Sequence, residues 1–94
     1  MKTLKKVTIE PVFVEFIPQV MEDNKLYISE KFGACLHNCL CGCGLKTSTA
    51  FKPQWKEGWE LIKHENGKVS LKPSILNRRC GSHYIITKNV ANFV

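Results

Sequence analysis

The feature that most constrains this sequence is a dense cluster of cysteines in its first half. Four of the five cysteines in the chain lie between residues 35 and 43, and the fifth, Cys80, lies far downstream. A chain of 94 residues buries only ~60–65% of its unfolded surface, so its core is marginal and an additional cross-link is expected. Because the number of cysteines is odd, they cannot all form disulfides within one chain.

The sequence favours metal binding over disulfides, because it carries no sign of export. It has no apolar run of about 18 residues that would span a membrane. The opening MKTLKK leads into the alternating stretch VTIEPVFVEF instead of a signal-peptide core. We therefore expect a cytoplasmic protein without a membrane partner. In the cytoplasm thiols stay reduced, and clustered cysteines there bind metal or take part in chemistry.

The spacing of the cysteines predicts a zinc site made of four thiolates. Interleaved glycines allow a short loop to curl until several thiolates reach one ion about 2.3 Å away, and Gly42 and Gly44 permit that curl. The predicted ligands are Cys39, Cys41, Cys43 and Cys80. Cys35 and His37 remain as substitutes for one of them. Since metal binding and folding are coupled in small zinc domains, removal of the zinc is expected to unfold the chain.

A second kind of metal site can be drawn from overlapping residues. Cys35-Leu-His37 and Cys80-Gly-Ser-His83 match the C-x-H and C-x-x-H pattern of Rieske two-iron two-sulfur sites. The long interval between the two halves counts against this interpretation, as does its neglect of the densest part of the cysteine cluster. A Rieske-type iron–sulfur protein is therefore the third functional hypothesis.

The remaining sequence predicts one small all-β domain over residues 1–94, with antiparallel strands and the cysteine loop near one end. No stretch shows helical periodicity over three turns. Asn66-Gly67 tolerates the positive φ of a tight hairpin turn, and a second turn is expected near Lys88-Asn89. The predicted strand regions are 5–15, with Pro11 at an edge or bulge, 25–31, the hairpin 59–73 and the pair 83–94, whereas 34–44 is predicted to be a loop.

A larger set of motifs follows the cysteine cluster in a definite order. They are His37-x-Cys39-x-Cys41-Gly-Cys43-Gly, Trp59, Asn66-Gly67-x-Val69-Ser70-Leu71-x-Pro73-Ser74-Ile75 and Cys80-x-Ser82-His83-Tyr84, before a closing apolar strand. In order and spacing, residues 34–94 resemble a family of small bacterial proteins that are encoded beside ubiquitin-like modifiers. The neighbouring genes of that family also encode enzymes similar to ubiquitin-activating and ubiquitin-conjugating enzymes.

The resemblance implies a zinc-dependent serine peptidase that trims or removes the ubiquitin-like modifier, in a bacterial antiphage-defence setting. Its implied partners are the modifier and the conjugation enzymes. A noncatalytic zinc module that docks the same partners is the alternative hypothesis. The chain departs from the family pattern after Pro73-Ser74-Ile75, because Leu76-Asn77 stands where the family has a Gly-Asn pair.

A serine peptidase needs a base within hydrogen-bond reach of the nucleophile, and donors for the oxyanion. If the residues around Ser82 are extended, its side chain faces the metal loop, where His37 also lies. The first predicted catalytic pair is therefore Ser82 with His37, and Ser74 with His83 is the second. The N–H groups of the glycine-rich metal loop are predicted to bind the oxyanion. His64 is predicted to be only an exposed side chain.

The formal charge of +6 says little about partners, because the lysines that produce it are spread along the chain. No basic stripe is interleaved with stacking aromatics, which argues against nucleic-acid binding. The only arginines, Arg78 and Arg79, adjoin Cys80. We expect them either to screen the negative charge of a four-thiolate zinc site or to bind an acidic partner or a peptide carboxylate.

Overall fold

The computed structural model describes residues 6–52, 56 and 58–94. The described residues form nine strands and one short 3-10 turn (Glu65–Gly67) and no α-helix, which confirms the all-β prediction. The strands are β1 (Lys6–Thr8), β2 (Glu10–Phe13), β3 (Lys25–Ser29), β4 (Ala34–Asn38), β5 (Lys46–Ala50), β6 (Glu60–Lys63), β7 (Val69–Asn77), β8 (Ser82–Thr87) and β9 (Val90–Phe93). None of the described helical structure is long and apolar enough to cross a membrane.

The strands form two sheets that pack against each other. The first sheet has the order β1-β9-β8-β7-β6, and the second has the order β2-β3-β4-β5. The pairings between these nine strands are antiparallel, as predicted, except that of β2 with β3, which is parallel. The segment 14–24 returns the chain to the other end of the sheet between these strands, and such a return is what parallel pairing requires.

The first predicted strand region is divided between the two sheets. β1 pairs with β9 in the first sheet, β2 pairs with β3 in the second, and the buried Ile9 lies at the crossing. Pro11 lies on β2, which is an edge strand, as predicted. An edge position suits proline because its missing N–H would otherwise break a ladder hydrogen bond.

The predicted loop over residues 34–44 is wrong in its first part. Residues 34–38 form β4, whose burial alternates so that Cys35 and His37 face the core. The pattern was hidden because these two inward residues are not the aliphatic ones that mark a strand in sequence. β4 is held between β3 and β5, and β5 was not predicted either.

The two predicted turns are confirmed. Asn66 and Gly67 have φ values of 67° and 75°, and β6 and β7 form the expected hairpin around them. Lys88 and Asn89 have φ values of 46° and 67° between β8 and β9. A positive φ is easiest for Gly and Asn, which accounts for Asn66, Gly67 and Asn89, whereas Lys88 adopts it without that advantage.

The core lies between the sheets and is built by residues of both. Its largest fully buried apolar side chains are Leu26, Ile28, Leu71, Ile75, Tyr84 and Ile86. In β8 the alternation is regular, with Ser82, Tyr84 and Ile86 buried and His83 and Ile85 half-buried. The first sheet therefore has an inner face against the core and an outer face that carries His83.

Candidate functional site

Four thiols converge where the loop after β4 meets the turn between β7 and β8. They belong to Cys39, Cys41, Cys43 and Cys80, and all four Sγ atoms lie within 4.8 Å of one another. The Sγ atoms of Cys39 and Cys41 are 3.5 Å apart, and those of Cys39 and Cys80 are 3.6 Å apart. Four thiolates bound tetrahedrally at about 2.3 Å would be ~3.8 Å apart, so the cluster has the size of a zinc site.

The hydroxyl of Ser82 lies beside this cluster. Its Oγ is 3.0 Å from the Sγ of Cys80. Hydrogen bonding from Ser82 lowers the pKa of Cys41 to about 6 and also lowers the pKa of Cys80. Since thiolates are the form that binds metal, Ser82 favours the ligating state of the cluster.

The fifth cysteine is not part of the cluster. Cys35 is fully buried in β4, and burial raises the pKa of its thiol to about 12. At neutral pH it is therefore an unreactive thiol that packs in the core.

A serine–histidine pair lies on the outer face of the first sheet. The Oγ of Ser74 is 2.7 Å from the Nε2 of His83, and both residues are half-buried. The register of β7 and β8 shifts between Leu71 and Ile75, so three residues of β7 face one residue of β8. Such a bulge re-aims side chains, and here it brings the hydroxyl to the imidazole of the neighbouring strand.

The backbone of the bulge is held from the side away from β8. The indole N–H of Trp59 donates to the carbonyl oxygen of Ser74 at 3.4 Å. Among the described residues, no carboxylate forms a hydrogen bond with His83, so the pair is a dyad without a third acidic member. Trp59 also packs against the hydrophobic core, so its indole is fixed in place on this side of β7.

The first predicted catalytic pair, Ser82 with His37, does not form. Ser82 faces the metal cluster as expected, but the Nε2 of His37 is 2.7 Å from the hydroxyl of Tyr84. The Nδ1 of His37 is buried and has no hydrogen-bond partner in the described part of the chain. Tyr84 was not anticipated as its partner, because the contact joins residues 47 positions apart.

His37 is unsuited to proton transfer with a substrate. It is fully buried, and desolvation lowers the pKa of its imidazole to about 4. Burial likewise raises the pKa of Tyr84 above its usual range. Both groups are therefore neutral at physiological pH and form a hydrogen bond inside the core.

Another serine–histidine pair, which was not predicted, lies nearer the start of β7. The Nε2 of His64 is 2.7 Å from the Oγ of Ser70, so the expectation of a merely exposed His64 is wrong. Ser70 is 2% exposed, and its Oγ also accepts the backbone N–H of Lys88 at 2.9 Å. This hydroxyl is part of the connection between the β6–β7 and β8–β9 turns.

The Rieske interpretation does not fit the structure. Its four ligands would be Cys35, His37, Cys80 and His83. Cys35 and His37 lie in the core, whereas His83 is on the outer face with Ser74 and Cys80 belongs to the four-thiol cluster. Successive residues of a strand point to opposite faces of the sheet. His83 therefore points away from the core, in which Cys35 and His37 lie.

One of the N–H groups predicted to bind the oxyanion already forms a hydrogen bond within the metal loop. The N–H of Gly42 donates to the carbonyl oxygen of Cys39 at 3.1 Å. Gly42 and Gly44 both have positive φ, as the curled loop requires. The loop is therefore built to gather thiols, and the N–H of Gly42 does not serve as an oxyanion donor.

A half-buried hydroxyl within hydrogen-bond distance of an imidazole is one element that serine hydrolases require, and the four thiols nearby could hold a metal ion. A family model described as Bacterial ubiquitination-like system serine protease (BubE) matches residues 13–94. The chain belongs to this family, and by family it is a peptidase of a bacterial ubiquitination-like system. Comparisons with curated proteins and with solved structures gave no match.

Proposed function

We propose that Ser74 is the nucleophile and His83 the general base of a peptidase that processes or removes a ubiquitin-like modifier. The observation that carries this assignment is the 2.7 Å separation between Ser74 Oγ and His83 Nε2 on a face of the sheet that solvent reaches. A base at that distance can take the hydroxyl proton as the new bond forms. The other serines bonded near a histidine or a thiol, Ser70 and Ser82, are buried.

The proposed reaction proceeds by acyl transfer. Ser74 Oγ attacks the carbonyl carbon of the scissile bond while His83 Nε2 accepts the hydroxyl proton. The same imidazole then donates that proton to the departing amine, which leaves the acyl group as an ester on Ser74. A water molecule, deprotonated by His83, hydrolyses the ester and restores the free hydroxyl.

We propose zinc as the ion of the four-thiol cluster. A donor set of four thiolates in tetrahedral spacing is typical of structural zinc, and filled coordination leaves no position for substrate. When bound, the ion would stabilise the fold and would take no part in bond cleavage. Cys80 lies in the turn that joins β7 to β8, so the cluster anchors the end of the hairpin that carries both members of the dyad.

The proposed partners follow from the family. A peptidase of a ubiquitination-like system meets the modifier itself, either before conjugation with a C-terminal extension or afterwards on a target. The conjugation enzymes are the other expected partners, since they handle the same C-terminal segment.

The test uses the intact chain and a ubiquitin-like modifier of a bacterial ubiquitination-like system, extended at its C terminus by a short peptide. We expect cleavage at the junction, and we expect a fluorophosphonate probe to label Ser74 in peptides analysed by mass spectrometry. Labelling of another serine would overturn the assignment of the nucleophile. Tight binding of the modifier without cleavage would instead support the noncatalytic docking module.

Metal content is measured on the same sample. We expect one equivalent of zinc by elemental mass spectrometry, and we expect a strong chelator to abolish the far-ultraviolet circular dichroism of the folded β domain. Unchanged circular dichroism after complete metal removal would show that metal binding to the cluster is not required for folding.

A further inference from the structure

The outer face around the dyad is apolar where it meets solvent. Leu76 lies directly opposite His83 in the pairing of β7 with β8. On the other side of His83, the N–H of Val94 donates to the carbonyl oxygen of His83 at 2.9 Å. Leu76 is 52% exposed and Val94 is 58% exposed. Two exposed aliphatic side chains therefore flank the proposed general base.

The edge of β7 is open beyond Ser74. β6 pairs with β7 only as far as Lys72, the Trp59 indole occupies the carbonyl oxygen of Ser74, and no other described strand pairs with residues 75–77 on that side. The backbone groups of His83 point towards β9, because its carbonyl oxygen accepts the N–H of Val94. In an antiparallel ladder the residue opposite, Leu76, then has its own N–H and C=O directed to the open edge. An extended peptide can pair with these groups.

The open edge leads to two uncompensated positive charges. Arg78 and Arg79 follow β7 in the turn before Cys80, and both are exposed. Neither side chain forms an ion pair or a hydrogen bond with another described residue. By contrast, the acids Glu10, Glu15, Glu22 and Glu30 each form an ion pair with a lysine elsewhere on the surface.

We infer that the substrate tail binds as an extended strand along the open edge of β7, with an acidic side chain held by Arg78 and Arg79. This inference rests on the proposed function, because the tail is the segment that contains the bond attacked by Ser74. Four strand residues span roughly 13 Å, so the acidic residue lies about four positions from the scissile bond. In this arrangement a substrate side chain between the scissile bond and the acidic residue packs on Leu76.

The surface favours this occupant over a second copy of the chain or a nucleic acid. Pairing with one open stretch of β7 requires an extended backbone, which a flexible tail offers without unfolding. Only two arginines are present, whereas a phosphate backbone would call for a longer basic track. Two arginines instead match a single carboxylate or a short acidic segment.

The experiment is a charge swap across the proposed contact. The probes are modifier–extension fusions with Asp, Ser or Lys at the fourth residue before or after the scissile bond. On one side of the bond, we expect Asp to raise kcat/KM about fivefold over Ser, mainly through KM, and Lys to lower it similarly. The double variant Arg78→Glu/Arg79→Glu should reverse the order, so that the Lys fusion becomes the better substrate.

The matched control is Lys6→Glu/Lys68→Glu, which changes the net charge equally. Both lysines are exposed; Lys6 is on β1, three strands away from β7 in the sheet, and Lys68 lies in the β6–β7 turn. We expect this control to keep the preference for Asp. If the double variant binds less metal than the unmodified protein, the charge swap is repeated with Arg78→Glu alone, which is two residues from Cys80.

The outcomes separate this inference from the proposed function. If every fusion is cleaved at the same rate by the unmodified protein and by the arginine variants, the inference is wrong while the dyad stands. If Ser74→Ala still cleaves the fusions, the proposed nucleophile is wrong whatever the charge preference.

Discussion

Strand β7 carries the serines of two serine–histidine pairs. The two pairs have the same distance between hydroxyl and imidazole but different surroundings. Ser70 Oγ and Ser74 Oγ each lie 2.7 Å from an imidazole Nε2, of His64 and His83 respectively. Ser70 is buried and its hydroxyl also accepts the N–H of Lys88, whereas Ser74 is half-buried and its hydroxyl has no further contact among the described residues.

The comparison shows that a short serine–histidine distance does not identify a nucleophile. A hydroxyl that already accepts a backbone N–H has one of its two lone pairs engaged, and a buried oxygen cannot approach a peptide carbonyl. The Ser74 pair differs in both respects. The two pairs thus provide a matched test within one strand, in which only one pair is expected to support catalysis.

The largest expected effect comes from replacing each serine with alanine. Ser74→Ala should lower kcat/KM for the modifier fusion by about 10³-fold or more, because it removes the nucleophile. Ser70→Ala should cleave normally but lower the free energy of unfolding by about 1 kcal/mol, because the N–H of Lys88 loses the buried Ser70 hydroxyl as its acceptor. Steady-state kinetics and urea titration measure the two effects, and equal losses of activity would remove the distinction between the pairs.

The histidines should divide in the same way. His83→Gln keeps a polar side chain of similar size but cannot act as a base, so we expect a loss of about 10²–10⁴-fold in kcat. His64→Gln should retain the activity of the unmodified protein. A large loss of activity in His64→Gln, with its circular dichroism unchanged, would show that the assignment of His83 as the base is wrong.

A third serine extends the comparison to the metal. Ser82→Ala removes the hydroxyl next to Cys80, and removal of an outer hydrogen bond of this kind lowers metal affinity by about 10–100-fold. We expect weaker zinc retention in competition with a chromogenic chelator, and normal cleavage once zinc is in excess. Loss of cleavage at saturating zinc would instead restore Ser82 as a candidate nucleophile.

The smallest expected effect on cleavage concerns His37, which is fully buried. Its pKa is about 4 in the folded protein and about 6.5 in an unfolded chain. Below pH 6.5 the unfolded state binds more protons, so stability is complete above that pH and falls as the pH drops towards 4. Between pH 7 and pH 5 the loss is roughly 2 kcal/mol.

The check is urea unfolding at a series of pH values for the unmodified chain and for His37→Gln. Release of metal in acid affects both proteins, so the difference between the two curves isolates His37. We expect the curve of the variant to be flatter, and parallel curves would contradict the assigned shift.

The sequence predicted those parts of the fold that depend on local residue types. Asn66-Gly67 defined a hairpin because few other pairs adopt consecutive positive φ values. The strand β4 was missed because its inward residues are Cys35 and His37, whose burial depends on neighbours distant in the chain. The parallel pair of β2 and β3 was equally invisible, since pairing partners are set by topology rather than by the strand itself.

The residues of the candidate site were predicted from the sequence; of the two predicted pairs, Ser74 with His83 lies within hydrogen-bond distance and Ser82 with His37 does not. Strand alternation correctly placed Ser82 towards the metal cluster and His83 on the opposite face. It could not show that Tyr84 takes up His37. It also could not show the bulge before Ile75, which carries Ser74 towards His83, because an irregular register leaves no periodic trace in the sequence.

The crossing at Ile9 and the pairing of β1 with β9 bear on how this protein is made. Residues 6–8 must wait for residues 90–93 before the first sheet is complete, and contacts so distant in sequence slow folding. During synthesis, β1 therefore has no partner until almost all of the described chain has left the ribosome. A nascent chain that ends before β8 also lacks His83, the base proposed for Ser74, so we expect no proteolytic activity until this region has been translated.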